Sequence, residues 1–134
     1  MSFLLDTDIC SAHLKGDRGV SARFLQYTGR LHLSALTASE LYTWARRRNA
    51  PPVRLDAVRE LLMAVHFIDV NHEIAEQAGT LRAAMFDLGK PMSNTDLVVA
   101  ATALVHHLTL VSHNVRHFQN VPDLPIADWL LQPG

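Results

Sequence analysis

The chain opens on an apolar run that ends in a carboxylate, Phe3-Leu4-Leu5-Asp6-Thr7-Asp8-Ile9. No other stretch restricts the fold so strongly. A continuous apolar run bounded by polar residues reads as a strand buried on both faces. Such strands belong to parallel sheets covered by helices on either side. Asp6 then stands where the strand leaves the sheet, and ligands of open parallel sheets bind outside the carboxyl ends of their strands. An acid at that edge either holds a cation or caps a helix starting near Thr7.

The rest of the chain alternates in the same way. Ile9 to Lys15 predicts a short helix ended by Gly16, and Asp17 to Tyr27 a second one, broken by Gly29. Leu31 to Ala35 is a short strand. Thr37-Ala38-Ser39-Glu40 has capping-box spacing and predicts the start of a helix through Leu41, Trp44 and Ala45 that stops before Pro51-Pro52. Leu55, Val58, Leu61, Leu62 and Val65 follow at helical spacing, and His66 to Val70 is a third strand. Ile74, Ala78, Leu81, Met85 and Leu88 fall four, three, four and three apart, the spacing of an amphipathic helix. Gly89 and Pro91 end it.

A helix starting at Ser93 or Asn94 is apolar nearly all round and is expected to be buried on most sides, with His106-His107 at its end. Leu108 to Ser112 is a fourth strand, a loop carries Asn114, Arg116, His117 and Phe118, and Leu124-Pro125-Ile126 is a short edge strand. The expected fold is α/β, three-layered, with a central parallel sheet of four to five short strands and helices on both faces. The length of 134 residues suits one domain spanning 1–134.

Twelve basic and thirteen acidic residues give a formal charge of -1. A protein that holds nucleic acid through bulk charge is clearly basic, so any such contact here needs a local patch or a metal. One cysteine, Cys10, excludes an internal disulfide and fits a reducing compartment. No signal peptide and no run of membrane-spanning length is visible, so the expected location is the cytoplasm.

Three further polar residues stand like Asp6, at or just beyond expected strand ends. Glu40 opens the helix after the second strand, Asp96 opens the buried helix, and Asn114 follows the fourth strand. Each has a local explanation: Glu40 completes a capping box, Asp96 complements a helix dipole, and Asn114 is a loop residue. Local roles do not explain why three acids gather at one sheet edge, where they would repel and raise one another's pKa values. A hard divalent cation removes that conflict, and carboxylate and water oxygens suit Mg²⁺ or Mn²⁺.

At these residues the sequence resembles a family. Leu4-Leu5-Asp6-Thr7-Asp8-Ile9, Thr37-Ala38-Ser39-Glu40-Leu41, the Asp96-to-Leu104 helix and Thr109-Leu110-Val111-Ser112-His113-Asn114 look like the successive motifs of a PIN domain, in particular the VapC-type toxins of bacterial toxin–antitoxin pairs. The stretch from Phe118 to Trp129, with Val121-Pro122, looks like that family's C-terminal part. The resemblance covers essentially the whole chain and implies a Mg²⁺- or Mn²⁺-dependent endoribonuclease held in check by a small VapB-like antitoxin. It also implies a homodimer or a toxin–antitoxin hetero-oligomer. Asp6, Glu40 and Asp96 fall on the family's three principal acidic positions, as metal-holding and catalytic residues. Asn114 falls where many members carry a fourth acid and others an Asn. His117 lies where several relatives place a further acid, and Asp8 stands where relatives commonly have Asn; both are accessory candidates.

Arg46-Arg47-Arg48, followed by Arg54 and Arg59, is the basic cluster of the chain. It reads either as a contact for RNA phosphates or an acidic antitoxin segment, or as a solvated helix end. Trp44 beside it either stacks on a base or packs in the core. His113 and His117 are spaced for metal only if they share a helix, and without a cysteine cluster zinc is not expected. Two rival readings remain. One is a PIN-like binding module with weak or no catalysis. The other is a haloacid-dehalogenase-type phosphatase, whose opening motif Asp6-Thr7-Asp8-Ile9 resembles; that family then needs a lysine, and none follows Ser112.

Overall fold

The computed structural model describes residues 1–131, so the last three residues of the expected 1–134 domain lie outside the described part. Five parallel strands form one sheet: β1 (Phe3–Leu5), β2 (Leu31–Ser34), β3 (His66–Ile68), β4 (Thr109–Val111) and β5 (Ile126–Ala127), in the order β3-β2-β1-β4-β5. The opening run is the central strand. Phe3 pairs with Leu31 on one side and Thr109 on the other, and Leu5 with Val111. The order reverses at β1, so the chain winds outward in two directions and leaves a crevice at the carboxyl end of the central strands.

The connections place helices on both faces. α1 (Thr7–Leu14), α2 (Arg18–Gln26), α3 (Ala35–Ala45) and α4 (Pro52–Ala64) join Phe3, Leu5, Leu31, Leu33 and Val111 in one apolar layer. α5 (His72–Asp87), α6 (Asn94–Val105) and the single turn α7 (Val115–Phe118) join Leu4, Ile68, Leu108 and Leu110 in the other. The alternation of Phe3, Leu4 and Leu5 between the two layers follows from the period of two in a strand. α6 is buried on most sides, with Leu97, Val99, Ala100, Ala101, Thr102 and Ala103 all inaccessible. His107 closes it in a left-handed turn (φ 55°).

Four local expectations need correcting. Thr37 and Glu40 do not open a helix: α3 starts one turn earlier, capped by Ser34, whose hydroxyl accepts from the Leu36 amide. Thr37 is therefore inside the helix and buried, and its hydroxyl lacks a partner. The third strand ends at Ile68 rather than Val70. Leu88, the last residue of the α5 pattern, is exposed because the helix ends just before it. The expected loop after β4 contains the α7 turn, which Phe118 pins by burying its ring completely.

Candidate active site

The carboxyl edge of the sheet holds a depression of about 340 Å³ lined by Asp6, Thr7, Asp8, Glu40, Asp96 and Asn114, with Ser93, Thr95 and His117 completing its wall. Four separate parts of the chain supply these groups. Asp6 and Asp8 come from the β1–α1 junction, Glu40 from α3, Asp96 from the first turn of α6, and Asn114 and His117 from α7 and its N-terminal residue.

Asp6 is the buried member. Oδ1 accepts from the Thr7 amide at 2.8 Å, and Oδ2 accepts from the Ser112 hydroxyl at 2.8 Å. The capping role and the position in the depression thus coexist in one side chain. Its pKa is raised from 3.8 to about 6, first by burial and then by the negative charges of Asp8 and Asp96; the Ser112 and Thr7 hydrogen bonds work against the rise. Asp8 is not the cap of α1. It lies in the first turn and accepts from the Ile9 amide at 2.8 Å and the His113 amide at 2.9 Å, tying α1 to the segment after β4. Burial raises its pKa too, against the hydrogen bonds from the His113 and Ile9 amides.

Glu40 is exposed and accepts from the Thr7 hydroxyl at 2.7 Å. Because α3 begins at Ala35, this carboxylate has no end-capping duty and is free to face the depression. Asp96 Oδ2 lies 3.2 Å from His117 Nδ1. Ser93 caps α6 by accepting from the Asp96 amide, which fixes the Asp96 backbone at the rim. Asn114 precedes α7 without a side-chain capping bond, and its amide N–H donates to Ser112 Oγ at 3.1 Å. The sequence marks Ser112 only within the phosphatase alternative, whose second motif would end a strand with such a hydroxyl, and does not mark Thr7. Their signal is position: a hydroxyl directly after a strand end, and one beside the first acid.

Among the described residues, no three carboxylate, imidazole or thiol groups stand ready to hold a metal ion by themselves. Glu40 is engaged by Thr7, Asp96 by His117 and Asp6 by Ser112. The donor chemistry nevertheless fits a hard cation. The wall offers carboxylate, hydroxyl and amide oxygens, and the charged form of its buried acid is disfavoured first by burial and then by the neighbouring charges of Asp8 and Asp96. Mg²⁺ keeps several waters and needs only one or two carboxylates from the protein.

The remaining candidates lie apart. Arg46 and Arg47 border a separate depression with Ser39, Tyr42 and Thr43, and Arg48 is exposed beyond the end of α3. Trp44 packs half-buried against the α1–α4 layer, with the Arg54 guanidinium 4.8 Å above its ring. His113 pairs with Asp128 at 3.0 Å, whereas His117 pairs with Asp96. No described helix is long and apolar enough to cross a membrane.

Comparison with known proteins agrees with this architecture. Residues 3–124 match the PIN domain family. The chain is 29% identical over 130 residues to the tRNA(fMet)-specific endonuclease VapC of Salmonella typhimurium, covering 96% of this chain and 98% of that one. It is 28% identical over 131 residues to ribonuclease VapC2 of Haemophilus influenzae, covering 97% and 99%. The crystal structure of DNA-bound VapBC from Salmonella typhimurium superimposes with a TM-score of 0.90 at 29% identity, over 96% of this chain and 98% of that chain.

Proposed function

The chain belongs to the PIN domain family, and from that premise we propose that it is a metal-dependent endoribonuclease, the VapC-type toxin of a toxin–antitoxin pair. The observation that supports this most is the gathering of Asp6, Glu40, Asp96 and Asn114 from distant segments around one depression at the carboxyl edge of the sheet. The chain acts as one domain, in the cytoplasm, and its partner is a VapB-like antitoxin, as in the VapBC complex it superimposes on. A homodimer or a toxin–antitoxin hetero-oligomer is the expected assembly.

In this reading Asp6 and Asp96 hold the ion and Glu40 completes its surroundings. Bound there, Mg²⁺ or Mn²⁺ supplies charge to neutralise the scissile phosphate and lowers the pKa of a water. Ser112 and the Thr7 amide hold the Asp6 carboxylate in one orientation. Thr7 Oγ1 does the same for Glu40, which orients the attacking water and draws its proton. Asp8 keeps the β4 end against α1 and adds negative charge behind Asp6. Asn114 offers a neutral oxygen or amide toward the phosphate. Water adds to phosphorus with its proton passing to Glu40, the bond to the 3′ oxygen breaks and that oxygen takes a proton from solvent water, leaving a 5′-phosphate and a 3′-hydroxyl.

The test is cleavage of a mixed RNA pool with Mg²⁺ or Mn²⁺ and with chelator. Metal-dependent cleavage is expected; cleavage that survives the chelator removes the mechanism. The binding-module alternative draws on Asn114 and on the engagement of Asp96 by His117, and it predicts no cleavage with either metal. The phosphatase alternative has less support, since no lysine lines the depression among the described residues; it predicts hydrolysis of a small phosphate monoester instead of RNA.

A further inference from the structure

The acidic depression has a neighbour. A second cavity of about 370 Å³ shares Ser93, Asp96 and His117 with it and continues past them to Lys90, Arg116 and Asn120, over Met92. That volume is within the range of small-ligand sites, ~300–1,000 Å³. Lys90 and Met92 lie on the link from α5 to α6, Arg116 on α7, and Asn120 just after it. Lys90 Nζ donates to Asn120 Oδ1 at 3.4 Å, joining the two rims.

The charge changes sign along this cleft. One end carries Asp6, Asp8, Glu40 and Asp96; the other carries Lys90 and Arg116. Among the described residues, the one carboxylate on the second wall is Asp96, which His117 already engages. An RNA strand needs this arrangement. Its scissile phosphate belongs at the acids, where a cation is expected, but the next phosphate along has no reason to approach carboxylates. It needs fixed positive charge one step away, and phosphate contacts of that kind set register. Single-stranded bases are splayed out, hydrogen-bonded on their edges and packed by their faces against aromatic or guanidinium planes; a thioether is a polarizable apolar surface that also packs against an aromatic ring. Asn120 and Met92 supply an amide and a thioether face.

We propose that this second cavity seats the nucleotide adjoining the scissile phosphate of single-stranded RNA, with Arg116 and Lys90 on its phosphate and Asn120 and Met92 on its base. The inference rests on the ribonuclease reading and adds to it where the substrate lies. It puts the cations nearest the chemistry on α7 and the α5–α6 link rather than on the Arg46-Arg47-Arg48 cluster.

The test measures binding of a short fluorescein-labelled single-stranded RNA of mixed sequence by anisotropy, in chelator so that nothing is cut, across a series of salt concentrations. The Lys90→Ala/Arg116→Ala double variant is expected to bind on the order of tenfold more weakly. Its salt dependence should be shallower by roughly 0.7 in log K against log salt, the slope that one neutralised phosphate of a single strand carries. Asn120→Ala is expected to keep the salt dependence and to change the relative affinities for labelled single-base homopolymer RNAs measured in the same way. All three side chains are exposed, so melting temperatures should not move. Unchanged binding and salt dependence in the double variant would overturn the proposal. So would undetectable RNA binding by the wild type, or a double variant that loses only the antitoxin. Wild type that binds RNA through Lys90 and Arg116 yet cuts nothing with Mg²⁺ or Mn²⁺ upholds this seat and refutes the ribonuclease reading. Cleavage with normal binding by the double variant refutes the seat alone.

Discussion

The Ser112 hydroxyl donates to Asp6 Oδ2 at 2.8 Å, across 106 positions of sequence. Both residues directly follow neighbouring parallel strands, and the Asp6 amide also donates to the Val111 carbonyl at 2.9 Å. The buried acid is thus held by the adjacent strand rather than by its own helix alone. Ser112 is itself fully buried, so water cannot replace it.

Ser112→Ala should therefore cost more than an ordinary surface change. A hydrogen bond to a charged group contributes about 1.5–3 kcal/mol, and its loss leaves the Asp6 carboxylate less well paired. Urea melts above pH 7 without divalent cation should show a loss of about 2 kcal/mol. In the metal-free protein the Asp6 pKa should rise further, because the Ser112 hydrogen bond that works against the rise is gone. A variant matching the wild type in both would mean that the bond has no role in holding Asp6.

Asp6→Asn tests the charge itself. The folded-state pKa of about 6 lies above the ordinary 3.8, so the native state binds this proton more tightly than the unfolded chain. The resulting stability is fully present below pH 3.8 and is lost as pH rises through 6. The full difference corresponds to at most ~3 kcal/mol. Without divalent cation at about pH 8, above the folded-state pKa, Asp6→Asn should be more stable than wild type, by up to that amount. It should also lose both cleavage and the stabilisation that Mg²⁺ or Mn²⁺ gives the native state. If Asp6 served only as a cap, Asn would serve about as well, and neither the melting curve nor its metal response would change.

Thr37→Val separates two accounts of the start of α3. Thr37 is fully buried and its hydroxyl has no partner. Replacing it with a methyl of similar shape should be neutral or stabilising by up to ~1 kcal/mol, because an unpaired buried hydroxyl is costly. A residue capping the helix would instead lose about 1 kcal/mol. Chemical denaturation reads the sign directly.

Cys10 should be inert in the native protein. It is completely buried, and burial together with the Asp6 and Asp8 charges pushes its thiol pKa upward. A buried thiol with little thiolate character does not react. Labelling by a thiol reagent should follow the unfolding rate and become fast in denaturant; rapid labelling of the folded protein would show that the β1–α1 junction opens.

The layered parallel sheet is legible because its signal is local. Phe3-Leu4-Leu5 buries both faces of a central strand, α6 is apolar nearly all round, and Ile74, Leu81 and Met85 keep helical period. Asp6, Glu40, Asp96 and Asn114 are open to notice because each follows a strand or opens a segment. Glu40 reads as a capping residue, however, since Thr37-Ala38-Ser39-Glu40 satisfies that spacing wherever it falls. Only the turn begun at Ser34 moves it into the helix interior.

By itself, then, the amino-acid order determined the alternation of strands and helices, the two buried layers, and the presence of acids near strand ends. These depend on hydrophobic period and on residues a few positions apart. The tertiary structure alone decided that Ser112 holds Asp6, that Thr7 holds Glu40 and that His117 engages Asp96. It also decided that Lys90 and Arg116 share a cavity with Asp96, while Arg46 and Arg47 border another. Those pairings are set by the strand order β3-β2-β1-β4-β5, which brings β4 beside β1 after most of the chain has intervened. Hydrophobic period does not encode which strands become neighbours, and side-chain hydrogen bonds across that distance form only once they have.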